Sequence, residues 1–376
     1  MKQLMIENFL SLFPLIDTPA LLVDYTCLLD NIDKMQDIAE KTTVNLRPHI
    51  KTHKSVYIAK KQMEKGARGI TVAKLGEAEV MSKAGINDIF IANQLTHPLK
   101  LNRLFILHKK INISIGVDHL EQINLINKIF TDPGHPLNIL IEINCGLNRC
   151  GVEPGIQLID LAKHVIKEPG LQLKGIFTHA GQVYRVHSLS EVQKIAEHEG
   201  SIMQKAKNLL KTHGITIKTV SAGSTPTAKY AAANPDVNEI RPGNYVFFDY
   251  SQIKLKSCTL AECSLFILAT VISQPHKQKV VIDAGSKSLS LDQGAQGSKM
   301  IKNYGKLLNI DGEIVQLAEE HGMIHLTKPQ QIEIGSPVLI IPNHACSVSN
   351  LFDYYYLIED NKIIKRINID ARGKSQ

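Results

Sequence analysis

The sequence predicts an α/β protein: a parallel (β/α)8 barrel of the TIM type, followed by a second, mostly-β domain. Three observations lead there. Eight short apolar runs, each followed by a helix-length segment, fill the first two thirds of the chain. The intervening segments, such as GEAEVMSKAG and GIQLIDLAKHVIKE, carry apolar residues at helical spacings of three and four. After about residue 255 the pattern changes to apolar–polar alternation with tight turns.

The eight runs are VNLRPHIK (44–51), GITVA (69–73), DIFIA (88–92), ISIGV (113–117), NILIEI (138–143), LKGIFTH (173–179), TIKTVSA (216–222) and NEIRPG (238–243). A count of eight favours a closed barrel, and an open doubly wound sheet is the alternative that counting leaves. The earlier run ALLVDY (20–25) precedes the first of them. Beyond residue 255 come LFILATVISQ, QKVVIDAG, GEIVQLAEEHGMIHL, PVLIIPNHA and YYYLIEDNKIIKRINID, the last with EDNK as its turn. The expected domains are residues 18–255 and 256–376, with the strand near 18–25 packing onto the second.

A chain of 376 residues can bury a large core without disulfides. Its 44% hydrophobic and 21% charged residues are ordinary for a globular protein. Forty-three Lys and Arg give a formal charge of +7, but they are scattered and accompany no zinc-finger or aromatic–basic signature. Nucleic acid is therefore not an expected partner, and small anionic ligands are compatible with the charge. No run approaches the roughly 18 apolar residues that a membrane span needs, and Glu7, Asn8, Ser11 and Asp17 interrupt the apolar start. The six cysteines form no dense framework, which leads us to expect a cytoplasmic protein with reduced thiols.

Functional residues of such a barrel belong at the C-terminal ends of its strands. The first run ends in RPHIKTHK, placing Lys51 among Arg47, His49, His53 and Lys54. Neighbouring cations and desolvation lower a lysine pKa and make the amine nucleophilic; a surface lysine cluster is the bland alternative. SAGSTPT (221–227) and RPGNYVF (241–247) follow the last two runs, where these barrels hold phosphate. Their glycines, with Ser224, Thr225 and Tyr245, can cradle one. The loop NCGLNRCG (144–151) offers Arg149 to an anionic oxygen. THAGQVY (178–184) offers His179 and Tyr184 as acid/base groups or ring contacts. In the β domain, PNHACSVSN puts His344 and Cys346 two apart, so that on a strand they share a face. Imidazole with thiolate suits zinc, and two ligands leave room for water or substrate. His321, in EEHGMIH, is a candidate neighbour.

In this order, RPHIKTHK, the DIFIANQ and GVD strand ends, NCGLNRCGV, THAGQVY, SAGSTPT, NEIRPGNYVFFD, AEEHG and PNHACSVSNLFD resemble the D-serine dehydratase and D-threonine aldolase family, from TPALLVD at 18 to the RG at 372–373. The resemblance implies a barrel of the alanine-racemase type with a C-terminal β domain. It implies pyridoxal 5'-phosphate bound through Lys51, with Arg149 at the ring oxygen and Tyr184 beside the cofactor. Gly223, Ser224, Thr225, Gly243, Asn244 and Tyr245 would line the phosphate site. His344 and Cys346 would hold a divalent metal: zinc by the thiolate, with Mn2+ or Mg2+ as alternatives. The substrate would be a small β-hydroxy-D-amino acid, and the assembly a homodimer, without a nucleic-acid or membrane partner. Dehydration of D-serine is the leading activity, because aldolases of the family tend to carry His-x-Asp. D-threonine aldol cleavage is the alternative, and racemisation or cofactor binding without reaction are further ones. One position departs from the pattern: Gln182 stands where THAGHxY would have a second histidine.

Overall fold

The computed structural model describes residues 2–376. After β1 (Ala20–Asp24) come the strands of one parallel sheet: β2 (Asn45–Leu46), β3 (Ile70–Val72), β4 (Asp88–Ile91), β5 (Asn112–Val117), β6 (Leu137–Ile143), β7 (Leu171–Thr178), β8 (Thr219–Ala222) and β9 (Glu239–Ile240). Their spatial order is β2-β9-β8-β7-β6-β5-β4-β3. Closure between β2 and β3 is made not by a regular ladder but by a parallel bridge from His49 to Thr71. Pro48 is the reason: it has no N–H to donate, and β2 stops two residues before it. Its carbonyl still accepts from Thr71 N at 2.8 Å, and Ile50 N donates to Thr71 O at 2.9 Å. The chain then turns at once, so Lys51 lies in a turn on the C-terminal rim.

Helices follow the strands where the periodicity places them. In Ile156–Lys167 the residues Leu158, Ile159, Leu161, Ala162 and Val165 are buried, the stripe read from GIQLIDLAKHVIKE. Every residue of β6 is buried, as expected for a strand covered on both faces. Within the barrel, Phe90 and Phe177 pack edge to face at 5.0 Å. Gly116 makes room for them, since a Cβ there would lie 2.6 Å from the Phe177 ring.

The second sheet contains β10 (Leu265–His276), β11 (Lys279–Ile282), β12 (Lys306–Leu307), β13 (Gly312–Leu317), β14 (Gly322–Leu326), β15 (Pro337–Ile341), β16 (Tyr354–Glu359) and β17 (Lys362–Asn368). β1 completes it, antiparallel to β10 and parallel to β16. The first strand of the chain thus pairs with the last third of it. The predicted hairpin is formed at Glu359–Lys362, with Asp360 at φ 53° in its turn. The two parts meet at the barrel mouth, where Tyr355 Oη donates to His53 O at 2.9 Å and Ser251 Oγ to Asn343 O at 2.6 Å. No helix among the described residues is long and apolar enough to cross a membrane.

Candidate active site

A cavity of about 470 Å³ opens at the C-terminal rim of the barrel, beneath the β domain. Lys51, Arg149, His179, Tyr184, Gly223, Ser224, Thr225, Gly243, Asn244, His344 and Cys346 all line it. Three hundred residues of sequence separate the first from the last, and the rim brings them together.

Two glycine-bearing turns form one wall. Gly223, at φ 83°, takes the left-handed turn after β8 that a side chain resists. A Cβ on Gly243 would lie 2.6 Å from the His49 carbonyl, so only glycine lets the second turn approach. Thr225 Oγ1 ties the turns together by accepting from Tyr245 N at 3.2 Å. The Tyr245 side chain is a correction to the expected cradle. It is buried and does not line the cavity, and its hydroxyl accepts from Gln62 Nε2 at 2.9 Å.

Burial lowers the pKa of the Lys51 amine; Cys346 opposes the shift, and Arg149 adds to it. His179 and His49 are held well below their ordinary values by burial first and by Lys51 next, so both rings are neutral. Burial pushes the Tyr184 phenol upward, keeping it protonated. Arg149 is half exposed, its guanidinium 3.9 Å from Glu142. Gln182 does not line the cavity; it donates to Cys145 O at 2.7 Å and so braces the NCGLNRCG loop.

His344 and Cys346 are not on a strand, contrary to expectation. β15 ends at Ile341, and Asn343 stops it by donating to Asp292 O at 3.1 Å and accepting from Gly305 N at 3.0 Å. His344 then caps a short helix, Ala345–Ser349, that contains Cys346. The turn still aims both into the cavity. His344 Nδ1 lies 2.8 Å from Asp292 Oδ2, and Cys346 Sγ lies 3.1 Å from Thr52 Oγ1. Burial opposes charge on both, yet the Cys346 thiolate and Asp292 raise His344 to about 10, while His344 and Lys51 draw the thiol down. His321 is exposed in the turn between β13 and β14, away from the cavity. Asp118, Glu142 and Cys150 also bring donor atoms within 4.8 Å of one another. Two of these are already engaged: Asp118 accepts from Gly151 N at 2.8 Å, and Glu142 from Gln94 at 2.5 Å.

Among the other lining residues, sequence reasoning assigned no role to Arg241, Gln94 or Gln296. Arg241 opens the very motif RPGNYVF, yet its importance is visible only in three dimensions. It is buried against Phe90 and Phe177, and donates to Ser221 Oγ and Thr178 O, each at 2.5 Å. Ser221 in turn donates to Glu239, whose carboxylate pairs with Arg47 at 2.8 Å. This charged ladder supports the wall from below. Gln94 follows β4, and Gln296 arrives from a glycine-rich stretch of the β domain that carries no recognisable motif.

The residues fit the groups that the family resemblance implies. A desolvated amine lines one cavity with two turns whose left-handed backbone at Gly223 and close approach at Gly243 a side chain would resist. A thiolate beside an imidazole, whose Nδ1 is fixed by a carboxylate, is a donor pair suited to zinc.

A closed parallel barrel with a lysine at its rim, roofed by a β domain that contributes an imidazole and a thiolate, defines the alanine-racemase-like class with a dehydratase-type second domain. The chain belongs to the D-serine dehydratase and D-threonine aldolase family. Residues 23–251 match the model described as "Alanine racemase, N-terminal domain", and residues 264–358 that described as "Putative serine dehydratase domain". D-serine dehydratase of Dictyostelium discoideum is 32% identical, over 93% of this chain and 95% of its own. The crystal structure of D-threonine aldolase from Filomicrobium marinum superposes with a TM-score of 0.89 at 28% identity, covering 96% of this chain and 97% of that one. D-threo-3-hydroxyaspartate dehydratase from Delftia sp. HT23 gives 0.87 at 30% identity, covering 94% and 97%.

Proposed function

We propose that the protein is a pyridoxal-phosphate- and zinc-dependent lyase of β-hydroxy-D-amino acids, converting D-serine to pyruvate and ammonia. The observation that carries this reading is the convergence of Lys51, the Gly223–Thr225 and Gly243–Asn244 turns, and the His344–Cys346 pair in one cavity. Dehydratases and aldolases among its relatives support the lyase class, and the thiolate favours zinc and dehydration over aldol cleavage.

Bound there, the cofactor supplies an electron sink for charge left at Cα, and the metal supplies a Lewis acid for the departing hydroxyl. The chain's own residues do the rest. Lys51 would carry the amine that anchors the cofactor, and its lowered pKa suits Nζ to take up the Cα proton. Arg149 would orient the cofactor's anionic ring oxygen. Tyr184, kept a neutral phenol by burial, lines the cavity with Ser224 and would lie beside the cofactor. Neutral His179 stands on the same rim as a ring contact. His344 and Cys346 would hold the metal, with Asp292 engaging His344 Nδ1 at 2.8 Å and leaving Nε2 as the ring's free donor atom.

The test is product analysis of protein loaded with cofactor and zinc, given D-serine and D-threonine separately. Ammonia with pyruvate or 2-oxobutyrate is expected. Glycine with acetaldehyde from D-threonine would make it an aldolase instead.

A further inference from the structure

Four lining residues come from the β domain: Ala295, Gln296, His344 and Cys346. The last two are the candidate metal ligands, whereas the role of the first two is unassigned. Both sit in the excursion from Ser290 to Ser298, between the turn of helix Ser286–Leu289 and β12.

Gln296 adopts φ 58° and ψ 33°, the left-handed region that residues with side chains seldom occupy. Glycines flank it at Gly294 (φ 147°) and Gly297 (φ 70°), yet this third left-handed position is not glycine. A side chain held where glycine would be easier points to use of the side chain. That side chain closes the cavity: Gln296 Nε2 lies 3.3 Å from His179 Nε2, on the opposite, barrel-borne rim. A neutral His179 accepts from the amide, so the contact is a hydrogen bond with no room for an atom between.

The other end of the excursion is fixed to the candidate metal site. Asp292 accepts from His344 and Ser347, and its carbonyl from Asn343. One short segment therefore orients His344 and, four residues later, walls the cavity against His179. Ala295 and Gln296 line the same cavity as His344 and Cys346, so a substrate whose β-hydroxyl sat at that pair would have its second β-substituent within this shared β-domain lining.

We propose that Gln296 is a specificity-determining residue that closes the pocket around the β-carbon. Together with Ala295, it admits hydrogen there and resists a methyl group. This rests on the lyase reading above and deepens it, since D-serine carries hydrogen at that place and D-threonine a methyl.

The test compares the wild type with Gln296→Ala and Gln296→Gly, the latter suited to the left-handed backbone should the alanine variant fold poorly. Two ratios are measured on cofactor- and zinc-loaded protein. One is kcat/KM for D-threonine over D-serine. The other is the calorimetric Kd for D-2-aminobutyrate against D-valine, neither of which has a hydroxyl to lose. D-valine's second β-methyl has nowhere to go but the wall. One methyl in a close-fitting pocket is worth roughly tenfold or more. Both ratios are therefore expected to shift about tenfold toward the bulkier ligand in the variants. Ratios unchanged within about twofold, or a uniform loss for both ligands, would overturn the proposal. If the wild type turns over neither hydroxy amino acid, the lyase reading fails, while the Kd ratio still decides the role of Gln296.

Discussion

The site has two halves built by different means. The barrel half is held by regular structure: Lys51, His179 and the two glycine turns each leave the C-terminal end of a parallel strand. Its fixed charges are buried in a ladder from Arg47 through Glu239 and Ser221 to Arg241. The β-domain half hangs on individual side chains. His344 and Cys346 follow a strand cut short by Asn343, and Asp292 reaches them from an excursion with left-handed residues at Ser290 and Gln296. Ladder hydrogen bonds set position to the precision of the fold. A side chain on a loop sets it one bond at a time, so each bond there is separately removable.

The largest expected effect lies at the centre of the barrel half. Lys51→Ala should abolish the visible absorbance of lysine-bound cofactor and lower turnover by at least ~10³-fold, as loss of a covalent catalytic group does. A variant that keeps the absorbance band would remove Lys51 from its role. Next comes the ladder. Glu239→Gln leaves Arg47 paired with Asp88 alone, at 2.6 Å, and Arg241 without the carboxylate behind Ser221, which should cost about 2 kcal/mol in denaturant unfolding. Burial alone would raise the Glu239 pKa, but Arg47 and Ser221 hold it below the ordinary range. The sign follows: its stabilisation is full above the unfolded value of about 4.3 and is lost as pH falls through the lower folded value. The gap between wild type and variant should therefore close on acidification, and a gap that widens would contradict the pairing.

The same contrast explains what the sequence discloses. Strand-end motifs such as RPHIKTHK and SAGSTPT are legible because a barrel's rim collects whatever follows its strands. β2 is shorter than the run VNLRPHIK suggests, since Pro48 breaks the ladder and a single bridge at His49 closes the barrel. In the β domain, the H-x-C spacing is visible but its geometry is not. Two-residue spacing implies one face of a strand only while the strand lasts, and here it ends three residues before His344. Asp292 and Gln296 carry no local signal, because their meaning depends on which residues the excursion meets. Tyr245 shows the converse: its motif position is right, its backbone joins the phosphate wall, and its ring belongs to the core.

In the β-domain half, Asp292→Ala should weaken metal binding about 10- to 100-fold, as loss of a carboxylate behind a ligating imidazole does. The cofactor band should survive, since nothing in the barrel half touches Asp292. Competition with a chromogenic chelator measures the first and absorbance the second. Loss of the band along with the metal would mean that the halves are not separable.

The smallest effect, and the sharpest for the comparison, is expected at the seam. Thr52 lies one residue beyond Lys51, and its hydroxyl meets Cys346 Sγ at 3.1 Å, joining the lysine turn directly to the His344–Cys346 pair. Thr52 is fully buried, so Thr52→Val keeps the shape and removes one hydrogen bond, a net loss of about 1 kcal/mol. If the halves are built independently, that loss stays local: metal affinity falls about fivefold, while the cofactor band and the D-serine KM hold steady. If the seam aligns amine and metal for one substrate, kcat falls by more than the metal occupancy accounts for, even at saturating zinc. Turnover measured against zinc concentration separates the two, because the first defect is recovered by added metal and the second is not.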